Sequence, residues 1–180
     1  MKNKIRWITE TAIMLALLVT LQTLTKGFGQ LVTGSCVNAV LAVSVLVGGL
    51  GTGITVALVS PVLAFLLGIA PQILTVPAIM VGNTVYVLLL RLIAGGKGGT
   101  ATQITGWLVA AAAKFAALYL IVVKVVCGVM APSLLEAGLM KEPMLKALPA
   151  TFSYPQLVTA LIGGAVALLI VPVLRKALHK

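Results

Sequence analysis

Apolar residues run along this chain in long, nearly continuous stretches, broken by short clusters of Gly, Pro and charged residues. The runs and their breakers predict six helical spans, near Ile8 to Leu24, Gly34 to Gly49, Gly53 to Ala70, Ile73 to Ala94, Thr105 to Met130 and Tyr154 to Leu174. Six helices of about 20 residues use roughly 120 residues and leave about 60 for loops and ends, which suits a helical membrane protein of this length. The second span is short for a bilayer, at about 16 residues. Transmembrane β-barrels require alternating segments of about ten residues, and these apolar runs are too continuous for that. The fold class expected is all-α, a polytopic membrane protein forming a single domain over residues 1–180.

Composition sharpens this picture. Of 180 residues, 61% are hydrophobic and 9% charged, against roughly 45–50% apolar and about 25% charged in a soluble domain. Thirteen Lys and Arg face three acids, a net charge of +10. In a soluble chain such a balance suggests nucleic acid; here, without aromatic-interleaved basic patches, it reads as an orientation signal. With the amino terminus inside, Lys2, Lys4, Arg6, Arg91, Lys97, Arg175, Lys176 and Lys180 are cytoplasmic, and Lys26, Lys141 and Lys146 lie outside. Both termini are therefore expected in the cytoplasm. The basic start followed by apolar residues resembles a signal peptide, but no small-x-small cleavage site precedes Lys26, so it is read as a retained first helix. The longest loop, Ala131 to Ser153, is expected outside.

Small residues form one face of the third span, Gly53, Ala57, Ser60, Ala64 and Gly68, with Pro61 expected to bend that helix. Ala12-x-x-x-Ala16 and Ala160-x-x-x-Gly164 mark close packing on the first and sixth spans, for which packing within the chain is the plain account.

The missing chemistry excludes several functions. There is no Asp, Glu10 sits at an inner interface, and the other two glutamates fall in the outer loop. An ion-driven transporter usually relays its ion through intramembrane acids or His. The single His179 lies one residue from the end, which removes triads and His-rich metal sites, so neither an enzyme nor a metal or other cofactor is expected. The cluster Gly95-Gly96-Lys97-Gly98-Gly99-Thr100 fails as a phosphate loop, because Arg91 and Gly98 occupy positions that need Gly and Ser or Thr. It reads as a cytoplasmic turn, and any ATPase must be another chain. Cys36 and Cys127 both fall toward the outer ends of their spans, where a disulfide and two free thiols are both open.

Polar residues gather in the outer half of the spans: Asn38, Gln72, Asn83 and Tyr86, then Gln156, Thr159 and Gly163 on one face after Tyr154. This lopsidedness fits an outward pocket better than a continuous channel. Lys114 and Lys124 lie in the fifth span with no acid to pair, and a Lys at the bilayer centre costs about 2.5–3.5 kcal/mol unless it snorkels or meets water or an anion. Trp107, read as an inner-interface marker, puts Lys114 about 10 Å deep and Lys124 near the outer boundary. Either lysine can snorkel; the functional alternative places Lys124 against a ligand. Lys26-Gly27-Phe28-Gly29-Gln30 reads either as a mobile segment whose Phe covers a ligand or as a plain turn.

Taken together, the length, six spans, internal termini, Ala12-x-x-x-Ala16 pair and outer-half polarity without coupling acids resemble the substrate-binding S component of energy-coupling factor (ECF) transporters, the bacterial vitamin importers. Thr33-Gly34 before Asn38, and Pro77 before Gly82-Asn83, add to the likeness. The resemblance implies a high-affinity binder of a vitamin or related nutrient in the bacterial plasma membrane, working with a transmembrane coupling subunit and two ATPase subunits. It implies docking on the coupling subunit through Ala12 and Ala16, and a ligand held near the outer surface, where Phe28, Gln30, Asn83, Lys124, Tyr154 and Gln156 lie, with Asn38 and Tyr86 as further candidates. A passive channel or small structural membrane subunit is the alternative.

Overall fold

The computed structural model describes residues 2–69, 72–95 and 99–178, with Lys2 and Asn3 described by their backbone alone. Ala70, Gly96, Lys97, Gly98, His179 and Lys180, which figure in the expectations above, lie outside the described residues. The described chain is all helical. In order it forms α1 (Lys2–Thr25), a 3₁₀ turn (Lys26–Phe28), α2 (Gln30–Gly48), α3 (Leu50–Leu66), a second 3₁₀ turn (Ile73–Thr75) and α4 (Val76–Ala94). Then come α5 (Thr100–Leu118), its π-helical continuation (Tyr119–Val129), α6 (Ala131–Glu136), α7 (Glu142–Thr151) and α8 (Tyr154–Ala177).

Local sequence explains the punctuation. Gly29 (φ 86°) and Gly49 (φ 88°) sit in the left-handed region and separate α1, α2 and α3 with minimal linkers. Proline occupies the first turn of α4, α6, α7 and α8, where a missing N–H costs nothing.

Among the described residues, five helical segments are long and apolar enough to cross a membrane: Lys4–Phe28, Gln30–Gly48, Ile73–Ala94, Thr100–Val129 and Tyr154–Ala177. The third expected span is shorter than read from sequence. Helix α3 has 17 residues, about 26 Å at 1.5 Å per residue, and stops at Leu66 before a turn through Gly68 (φ 66°). Conversely, α2 has 19 residues and is not short. The segment expected as the longest loop contains two helices, α6 and α7.

Helix α2 is the centre of the bundle, packed against α8, α1, α3 and α4, while α4 and α5 form a close pair. Half of the most apolar stretch of α2 is buried, whereas the segment Lys4–Phe28 is largely exposed and lies on the periphery. The small-residue face of α3 packs inward at Gly53, Ala57, Ser60 and Ala64; Gly68 falls beyond the helix and is exposed. Arg175 donates to the Leu46 carbonyl at 2.8 Å, joining the end of α8 to the last turn of α2. A second apolar cluster, containing Ala78, Leu118, Val122, Leu134, Met140, Leu148 and Phe152, holds α6 and α7 against the opposite end of the bundle.

Candidate functional site

That opposite end is where α1 and α3 finish and α2, α4 and α8 begin, so the polar residues in their terminal turns converge. They line a partly open cavity of about 390 Å³, within the roughly 300–1,000 Å³ range of small-molecule sites. Its walls come from Gln22 on α1, Gln30, Thr33, Gly34, Val37 and Asn38 on α2, Ile79 and Asn83 on α4, and Lys114 and Leu118 on α5. Gln72 and Thr75 close one side, and Gln156 at the start of α8 another. Helix α7 lies across it, contributing Met144, Ala147, Leu148 and Thr151, with Phe152 following. The cover is thus a short helix anchored by its own apolar cluster.

Lys114 forms the centre of the polar wall. It is 2% exposed and donates to Asn38 Oδ1 at 2.6 Å and to Asn83 Oδ1 at 2.7 Å. Its ammonium also lies 5.5 Å from the centroid of the Tyr86 ring, a cation–π distance. The neighbours are held in turn. Asn38 Nδ2 donates to the Gly34 carbonyl at 2.9 Å and to Thr159 Oγ1 at 3.3 Å, and the Thr159 hydroxyl donates to the Gln156 carbonyl at 3.1 Å. Tyr86 reaches the Ala160 carbonyl at 3.5 Å. Helix α8 comes close enough for this because Gly163 faces α2: a Cβ there would stand 2.5 Å from the Ser35 carbonyl oxygen and 2.6 Å from Asn38 Cβ.

Four of the eight ligand-site candidates, Gln30, Asn38, Asn83 and Gln156, line this cavity. Tyr86 is fully buried beneath Lys114. Phe28 and Tyr154 are 73% and 71% exposed and do not line it. Lys124 is also exposed, 5.6 Å from the Tyr119 ring centroid. The two lysines of the fifth span therefore divide: Lys114 turns into the bundle instead of snorkelling, and Lys124 turns out. Trp107 is half-buried and packs against the core, its ring beside Gly164. Cys36 and Cys127 are free thiols. Ala12 and Ala16 are both exposed on α1, so neither packs the fold.

Depth separates Lys114 from Lys124 once the start of α5 is fixed at Thr100. Asn38 lies eight residues into α2 and Asn83 seven into α4, about 12 and 10 Å from the helix starts. Lys114 lies near the middle of the 30-residue segment Thr100–Val129, far from both of its ends. Gln22 and the α7 residues carried no such signal.

The chain matches no protein-family model, no curated protein and no solved structure.

Proposed function

We propose that this chain is a membrane-embedded binding subunit for a vitamin or related small nutrient, of the S-component type, which hands its cargo to a separate coupling subunit and ATPases for import. The observation that carries this reading is the cavity: about 390 Å³, lined by polar groups at one end of an apolar bundle and roofed by α7. Below Lys114 and Tyr86 the interior is filled by apolar core, including Leu90, Ala94, Ala110 and Ala167. A blind pocket of this kind suits capture better than conduction.

On this reading α3 crosses with the five longer helices, giving six spans. Lys4, Arg6, Arg91, Arg175 and Lys176 lie at the end away from the cavity, so the positive-inside rule puts both termini in the cytoplasm and the cavity outside. The exposed Ala12 and Ala16 then offer α1 as a smooth surface on which a coupling subunit can pack closely.

Affinity purification of the tagged chain from its native host tests the proposal. A transmembrane coupling subunit and ATPases are expected to co-purify, and Ala12→Trp or Ala16→Trp should remove them while leaving the thermal stability of the chain unchanged. Purification of the wild-type chain without such partners, together with ATP-independent solute flux in liposomes, would instead establish the passive channel.

A further inference from the structure

The cavity wall holds a cation that the protein only half answers. Lys114 uses two of its three donors on Asn38 and Asn83, both through neutral amide oxygens. Among the described residues no carboxylate lies within ion-pair distance of it; Glu10 pairs with Arg6, and Glu136 and Glu142 are exposed. A buried cation surrounded by dipoles alone remains costly in a low-dielectric interior, and a facing anion is the direct compensation.

An independent observation points the same way. Lysine only donates, so both asparagine oxygens must face it, which turns the amide nitrogens elsewhere. Asn38 Nδ2 is satisfied by Gly34 and Thr159. Asn83 Nδ2 is not: the side chain lines the cavity, the residue is 1% exposed, and this nitrogen has no partner among the described residues. Lys114 and Asn83 both line this cavity, so a cation and a residue with a spare N–H donor adjoin there, a combination suited to a carboxylate.

Among the described residues that line the cavity, Lys114 is the one charged group, so it balances a single negative charge and not a phosphate dianion. The remaining surface is mostly apolar, from Val37, Ile79, Leu118, Met144 and Phe152. We infer that the cavity takes a small amphipathic organic acid, its one carboxylate seated on Lys114 and Asn83 and its apolar body beneath α7. This rests on the reading of the chain as a binding subunit.

The test uses the full chain in lipid nanodiscs. Small molecules released from protein purified from cells grown in rich medium are identified by mass spectrometry. Thermal stability is then measured with three acid and neutral pairs, nicotinate and nicotinamide, pantothenate and panthenol, biotin and biotinamide. An organic acid is expected to be released or to stabilise the chain, with its neutral counterpart weaker by about tenfold or more. Lys114→Gln should weaken the acid by a similar factor and erase the preference for the acid over its neutral counterpart. Asn83→Asp supplies a carboxylate to Lys114 from within, so it should raise the stability of the ligand-free protein and remove the response to the acid, a readout that survives if Lys114→Gln does not fold. A neutral molecule released from the wild-type chain, or an acid bound equally well by Asn83→Asp, overturns the carboxylate site and leaves the binding subunit standing. No released molecule and no stabilisation by any of the six probes overturns both.

Discussion

Asn38 and Asn83 present their side-chain oxygens to one ammonium 2.6 and 2.7 Å away, and this triad decides which polar groups of the bundle are structural and which are available. Asn38 is structural on both counts, because its amide nitrogen also ties α2 to Thr159 on α8. Asn38→Ala removes an acceptor from a buried cation, and hydrogen bonds to charged groups contribute about 1.5–3 kcal/mol. The variant should melt several degrees below the wild-type chain in a nanodisc thermal scan; an unchanged Tm would show that Lys114 finds an equivalent acceptor without it. Both asparagines were legible in the sequence, as amides in otherwise apolar spans, and so were Gln30 and Gln156. Which lysine joins them was not, because a cation near a span end and one at its middle look alike until the start of the helix is fixed. Taking Trp107 as an inner-interface marker makes Lys114 shallow enough to snorkel, whereas α5 begins seven residues earlier, at Thr100.

Helices α2 and α8 carry the site because their backbones almost touch. Gly163 has no room for a side chain against Ser35 and Asn38, and enlarging a packed position typically costs about 1–3 kcal/mol. Gly163→Leu is expected to lower stability by at least that amount and, by displacing Asn38, to abolish ligand binding with it. Gly128→Ala is the control, since its Cβ would meet the Val123 carbonyl oxygen at 3.5 Å, an ordinary contact. Equal melting temperatures for the two variants would contradict the close approach. The long helices were legible because each is a continuous apolar run bounded by Gly or Pro. Helix α7 was not: with 10 residues it is too short for a span, and Glu142, Pro143, Lys146 and Pro149 break its hydropathy, so it read as loop. Its Pro143 sits in the first turn, where proline is compatible with a helix.

As a whole, the molecule is asymmetric along the bundle: a roofed cavity with one polar wall at one end, packed apolar core beneath it, and a concentration of Lys and Arg at the other end. The charge asymmetry and the gathering of polar residues at one end were both legible in the sequence, since each depends only on where residues fall along the spans. The placement of α7 over that end depends on contacts between distant segments, which hydropathy does not encode. The measurement that tests the one-ended cavity most directly is sided labelling of a single cysteine at Val37, in the cavity wall, with Cys36 and Cys127 replaced by alanine. A membrane-impermeant thiol reagent should modify Val37→Cys from the external face of the membrane and not from the cytoplasmic face. Modification from both faces, or from the cytoplasmic face alone, would contradict a blind pocket that opens outward.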